Sequence, residues 1–259
     1  MSDYLMREDA PLTEEVWAAI DETVLSAVRT TLVGRRVIDI VGPVGWGVEV
    51  APLFSFTEED GATIATSSTE YLQLVEIAKE FALRARQIAT ARHTPFSLDL
   101  GAAALAAVEL AKAEDDLVIG GLARGAGCFS PLGDWSTFGQ PFRAIAEAIA
   151  QLRTNDFHGP YAAIMSPTTY ARLASLFYEG QRELAMVEAL LEAGIYQSTD
   201  PEVSERVLVL SPQPWNMDLV IGQDVMTAWL GNEGLDQRFR IFETLALRLK
   251  RPGSVCVLS

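Results

Sequence analysis

The chain has 259 residues, 49% of them hydrophobic, which is enough to build a substantial core in one large domain or two small ones. Lys+Arg number 20 against Asp+Glu 35, and the resulting formal charge of -15, with no basic stripe to offset it, argues against a nucleic-acid backbone as partner. The two cysteines, Cys128 and Cys256, are far apart and lack CxxC spacing, so neither a zinc site nor a disulfide framework is indicated.

The N-terminus MSDYLMREDAPLTEEVW is acidic and lacks the pattern of a secretory signal, and no apolar run reaches a membrane span's length. A soluble protein of a reducing cytoplasm is expected, with no membrane partner. Thr13 is placed to cap a first helix that Glu14 and Glu15 open, and Trp17, Ile20, Val24, Ala27, Val28 and Leu32 give it one apolar stripe ending at Gly34. Arg35 to Val41 is β-rich; as a strand it places Arg35, Val37, Asp39 and Val41 on one face, and an Arg35–Asp39 ion pair is the simplest use of that face.

After the turn Gly42-Pro43-Val44-Gly45-Trp46-Gly47, the pattern weakens into a hairpin with its tip at Glu59-Asp60-Gly61. It has too few apolar residues to build a core of its own, so it is an arm, either mobile or covered by another subunit. Leu72 to Ala91 reads as extended and then helical, and His93-Thr94-Pro95 closes it. Leu98 to Gly121 is an alanine-rich spine helix, with Asp99 as N-cap and Gly120-Gly121 as its stop. Its last turn holds Glu114, Asp115 and Asp116 at the negative end of the helix dipole, where carboxylates need partners. Either a metal site or a salt-bridged joint answers that need, and the absence of a histidine at ligand spacing favours the joint.

The glycine-rich stretch from Leu122 to Gly133 is read as loop, and its GLARGAG lacks the setting of a phosphate cradle. Asp134 or Ser136 is placed to cap a helix from Pro141 to Leu152. A short strand at Gly159–Met165 precedes Ser166-Pro167, a helix start, and the helix to Phe177 leads to the polar tip Tyr178 to Glu183 and a further helix to Ala193, ended by Gly194. Val207–Leu210 and Asp218–Gly222 read as buried strands. Gln237 to Arg251 reads as a final strand whose apolar face is broken by Glu243. The layout is mixed α+β, neither doubly wound nor a bundle. The histidines are His93 and His158, both at turns; no HExxH, GxSxG or CxxC occurs, so no catalytic residue, metal site or cofactor is expected, and binding or structure is favoured over a scattered hydrolase triad.

Eight blocks in order, APLTEEVWAAIDE, LVGRRVIDIVGPVGWG, AEDDLVIGG, PLGDW, HGPYAAIMSPTTYARL, GIYQS, LVIGQD and FRIFETLALRLKRP, resemble the encapsulins, the linocin-like shell proteins. The resemblance is nearest the branch with ferritin-like, iron-oxidising cargo. It implies the Hong Kong 97-like fold of tailed-phage major capsid proteins, divided as 1–45 N-terminal helix and strand, 46–71 extended loop, 72–159 peripheral domain with the spine, 160–223 axial domain and 224–259 return to the peripheral domain. It also implies a closed icosahedral homo-oligomer in the cytoplasm, a cargo enzyme tethered by a short C-terminal peptide, and iron handled by that cargo rather than by the shell. Cargo docking would fall on Val28, Val33, Arg35, Val37 and Asp39, with Arg35 and Asp39 as a peptide clamp. A five-fold pore loop would fall on Tyr178, Glu179, Gly180, Gln181, Arg182 and Glu183. The arm and the loop Leu122–Leu132 are short for this branch. Some encapsulins bind flavin at a tryptophan after a KEF-like segment, but here Lys79-Glu80-Phe81 is followed by Leu83, Arg84, Ala85 and Arg86, so flavin is not expected. A phage-derived capsid protein packaging DNA is the nearest alternative, disfavoured by the net charge.

Overall fold

A computed structural model of the chain describes residues 3–59 and 63–259. The first helix, α1 (Glu14–Thr31), starts as read: Thr13 is its N-cap, its hydroxyl accepting from the Val16 amide at 3.4 Å. Trp17, Ile20, Val24 and Val28 bury one stripe of the helix. The next segment departs from the strand reading. Gly34–Val37 forms a single helical turn, α2, and only Ile40–Val41 is extended, as β1. Period-two alternation over so short a run cannot outweigh a tertiary anchor, and here Asp115 accepts the Val33 and Gly34 amides at 3.0 and 2.8 Å, fixing the corner as a turn.

The arm is present as β2 (Val50–Glu59) paired antiparallel with β3 (Thr63–Gln73), a two-stranded ladder separate from the larger sheets. The Asp60-Gly61 part of its anticipated tip lies outside the described residues. Beyond Leu74 the chain returns as β4 (Val75–Leu83) and then α3 (Ala85–His93), the extended-then-helical order expected.

The spine is α4 (Gly101–Asp115), which runs on through a π-helical turn, Asp116–Gly120, into α5 (Gly121–Arg124). Two local readings are corrected here. Leu100, not Asp99, occupies the cap position, although Asp99 Oδ1 does accept from the Gly101 amide at 2.9 Å. The twin glycines do not stop the helix; both keep helical φ, and a Cβ on Gly121 would sit 2.7 Å from Leu247 Cδ2, so at that position the missing side chain permits close helix–sheet packing. After Gly125 a short strand, β5 (Cys128–Ser130), stands where loop was expected.

α6 (Gln140–Thr154) follows, then β6 (Ala162–Met165) and α7 (Pro167–Ser175), whose Ser166 cap accepts from the Thr169 amide at 3.1 Å. A micro-hairpin, β7 (Phe177–Tyr178) and β8 (Gln181–Arg182), leads to α8 (Glu183–Glu188), far shorter than the helix to Ala193 that was expected. Gly194 opens β9 (Gly194–Gln197) at φ 100°. β10 (Val207–Leu210), the long hairpin of β11 (Met217–Glu233) and β12 (Asp236–Leu249), and a terminal β13 (Val255–Leu258) complete the chain. The strand at 237–251 is therefore not the last.

Two sheets organise these elements. One runs β1-β11-β12-β4 and the other β5-β13-β10-β6-β9. α1 and α4 cover one face of the first sheet, packing Trp17, Ile20, Leu110 and Ala111 on Phe239 and Ile241. The end of the spine, Val118 to Ala123, is wedged between the two sheets, against Leu219, Ile221 and Leu245 on one side and Leu208, Leu210 and Val257 on the other. α6 and α7 cover the far face of the second sheet through Ile145, Leu152 and Leu173. The spine thus touches both halves of the molecule, the role its small residues implied.

Candidate functional site

At the point where α1, the spine and the first sheet meet, one guanidinium serves three carboxylates. Arg35 Nε and Nη2 donate to Glu114 at 2.7 and 3.0 Å, Nη2 also donates to Glu243 Oε2 at 2.6 Å, and Nη1 to Asp224 Oδ1 at 2.8 Å. Glu114 and Glu243 are fully buried, whereas Asp224 is exposed. Burial works against the charge of Arg35, but the hydrogen bonds and attraction of these acids outweigh it and hold the guanidinium more firmly protonated than usual. One cation cannot neutralise three anions. Burial, and next the charge of Glu114, push the Glu243 carboxyl up to about 9 against the pull of Arg35. Its Oε1 is buried with no hydrogen-bond partner, an environment that disfavours the charged carboxylate and so agrees with that upward shift.

Asp115, one residue on, is pushed by burial up to about 6, although the Gly34 and Val33 amides oppose that shift. Asp116 lies 4.0 Å from Arg124 at the surface. The cluster at the end of the spine is therefore a joint: Glu114 is ion-paired, Asp115 holds the α1–α2 corner, and among the described residues no group of His, Cys, Asp and Glu is arranged to hold a metal ion.

The five residues offered for docking fall unevenly around this joint. Val28, Val33 and Val37 are 3%, 8% and 8% exposed and are committed to the chain's own core. Arg35 is spent on the three acids, so the expected Arg35–Asp39 ion pair is not formed. Asp39 stands exposed, its backbone carbonyl accepting the Leu219 amide at 2.9 Å, because the helical turn of α2 rotates it away from the Arg35 side chain. Asp224 was missed from sequence, and Glu243 was noted only as a break in an apolar strand. A buried acid of that kind signals a cation elsewhere, but nothing local names Arg35, 208 positions earlier.

The second predicted site is a genuine projection. Phe177 pairs with Arg182 and Tyr178 with Gln181 across a two-residue turn in which Glu179 and Gly180 have φ 46° and 86°. That turn is of the primed type, suited to the strand twist and served by glycine at its second position. The residues from Phe177 to Arg182 are exposed. Glu183 is different: it is fully buried, and its carboxylate accepts the Gly139 amide at 2.6 Å and the Phe142 amide at 2.8 Å, closing the N-terminus of α6. It replaces Asp134 and Ser136 as the cap and anchors the base of the hairpin rather than lining its tip.

Set beside known proteins, residues 1–246 match the Linocin_M18 family, described as encapsulating protein for peroxidase. The chain is 36% identical over 279 aligned positions to the type 1 encapsulin shell protein EncA of Myxococcus xanthus, covering 100% of this chain and 97% of that one. It is 26% identical over 202 positions to a ferritin-like-encapsulin shell fusion protein of Pyrococcus furiosus, covering 77% of this chain and 56% of the fusion. In fold it is similar to a virus-like particle protein from Pyrococcus furiosus, with a TM-score of 0.83, 22% identity and coverage of 95% of this chain and 100% of that one. It is also similar to the mature capsid of bacteriophage PhiM1, with a TM-score of 0.59, 10% identity and coverage of 88% and 86%. The fold is thus the Hong Kong 97-like capsid fold, and by its family match over nearly the whole length the chain belongs to the encapsulin shell proteins.

Proposed function

We propose that this encapsulin-family chain is the repeating unit of a closed icosahedral shell in the cytoplasm, and that the shell encloses a ferritin-like, iron-oxidising cargo. The observation that carries assembly is the β2–β3 arm. It leaves Phe54, Phe56, Ile64 and Tyr71 exposed at 44, 60, 68 and 68%, a cost in water that a neighbouring copy removes. The role of the chain is structural, and catalysis and iron handling belong to the cargo. A fused ferritin-like partner in the Pyrococcus relative supports that choice of cargo. The cargo's C-terminal peptide docks beside Asp39 and the exposed Ile40 and Val41 rather than on the buried valines, and the Phe177–Arg182 hairpin rims the five-fold pore.

Electron microscopy with size-exclusion mass of the full chain expressed alone tests the shell. Uniform hollow spheres are expected; a monodisperse monomer or dimer overturns the reading. Co-expression with a ferritin-like partner carrying its C-terminal peptide tests docking: Asp39→Ala shells are expected to form normally and to retain several-fold less cargo.

A further inference from the structure

The two cysteines, separated by 128 positions in sequence, meet in space. β13 lies between β10 and β5, and its parallel pairing with β5 sets Cys256 directly against Cys128. Both side chains point to the face covered by α6, where they join Ala148, Leu152 and Val209. The sulfurs are free thiols 2.7 Å apart, closer than unbonded sulfur atoms ordinarily approach. Neighbouring strands run about 4.8 Å apart, within the roughly 4.4–6.8 Å Cα separation that a disulfide spans. Gln151 of α6 supplies a polar contact, its Oε1 accepting from Cys128 Sγ at 3.2 Å.

We propose that Cys128 and Cys256 form a reversible cross-linking site, closed by a small-molecule disulfide of the glutathione class, which staples the C-terminal strand to β5. The two steps differ because the two sulfurs differ. Cys128 keeps 8% exposure and Cys256 none, and burial, followed by the contact with Cys128, pushes the Cys256 thiol well above its ordinary value. Both are buried, and Cys128, the less buried of the two, is assigned the step that meets the oxidant, which reaches it when α6 opens locally. As thiolate it attacks one sulfur of glutathione disulfide, releasing one glutathione thiolate and leaving a mixed disulfide. Cys256 then attacks the Cys128 sulfur of that mixed disulfide, and the second glutathione leaves. Two protein thiols become one disulfide, glutathione disulfide becomes two glutathione thiols, and the two protons go to those products. The second step has no diffusion to wait for but must deprotonate a buried thiol, so closure accelerates as pH rises.

The closed loop holds most of the second half of the chain, including α6, the hairpin at 177–182 and the β11–β12 pair. A link across so long a loop acts chiefly by restricting the unfolded chain, so oxidation raises thermal stability without needing any change in the folded structure.

The test uses the assembled full-length chain, treated with glutathione disulfide or with dithiothreitol, then denatured and alkylated. Expected are a fall from two alkylatable thiols per chain to none, a Cys128–Cys256 peptide in non-reducing mass mapping, no retained glutathione, and an unfolding midpoint several degrees higher that dithiothreitol reverses. Cys256→Ser is expected to retain glutathione on Cys128 and to lose the redox dependence of the midpoint. Two thiols surviving the oxidant in the folded wild-type chain, a stable glutathione adduct on it, or cross-links between different chains would overturn the proposal.

Discussion

Arg35 holds the buried joint together, because Glu114 and Glu243 are buried and among the described residues pair with no other cation. Arg35→Ala leaves both stranded, and a loss of about 3–5 kcal/mol is expected in denaturant unfolding, in line with removal of one partner from a buried ion cluster. Arg35→Lys recovers little, since an ammonium cannot reproduce a planar fork aimed at three acids. Glu243 gives the joint a pH dependence. Its folded value, about 9, lies above the ordinary carboxylate value of 4.5, so the native state holds the proton more tightly than the unfolded chain does. The associated stability is complete below about 4.5 and is lost as pH rises through about 9. Asp115 adds a smaller term of the same sign, lost as pH rises from about 3.8 through about 6. Unfolding midpoints are therefore expected to fall between weakly acid and alkaline pH, and Glu243→Gln to flatten most of that slope; an unchanged slope would show that Glu243 is not the titrating group.

At the scale of elements, the arm and the micro-hairpin divide the labour of reaching outward. The arm packs its base, Ala51, Leu72 and Leu74, on Val220 and Ala246, and leaves its outer length bare. If the arm is covered by a neighbouring copy as proposed, Phe56→Ser with Ile64→Ser is expected to leave the folded chain's circular dichroism intact and abolish particles in size exclusion, because both side chains are exposed in the single chain. The micro-hairpin hangs from Glu183 and the contact of Tyr178 with Phe138, whose ring centroids are 5.6 Å apart. Glu183→Ala orphans two amides at the start of α6 and is expected to cost about 1–3 kcal/mol. Limited trypsin digestion reads the same change locally, cleavage after the exposed Arg182 accelerating several-fold over wild type.

For the molecule as a whole, the charge of -15 is an assembly problem as well as a solubility asset. Many copies of an acidic chain repel when brought into one shell, and dissolved salt screens that repulsion. Particles are expected to dissociate at lower denaturant concentration in low salt than in high salt, measured by light scattering; the opposite trend would mean that attractive ion pairs between copies outweigh the net charge.

Much of the architecture was legible locally. The Thr13 and Ser166 caps, the alanine spine, the apolar runs of β10 and β11 and the arm with too little core each follow from the chemistry of a few neighbouring residues, and period and propensity are local properties. The ordered blocks from Ala10 onward carried the family as well. Other features belong to contacts far apart in sequence, which no window of residues contains. Arg35 to Val41 looks like a strand until Asp115 captures its amides, Gly120 and Gly121 look like a stop until Leu247 occupies the space beside them, and Glu183 looks like part of an exposed tip until it turns inward to α6. Sequence by itself determined the long helices, the apolar strands and the arm, and the family of shells to which the chain belongs, because those depend on near neighbours and on the order of blocks along the chain. Only the tertiary structure decided which charges meet, which valines are spent on the core and that two distant cysteines touch, because a buried charge or thiol is partnered by whatever the packing of other elements brings to it.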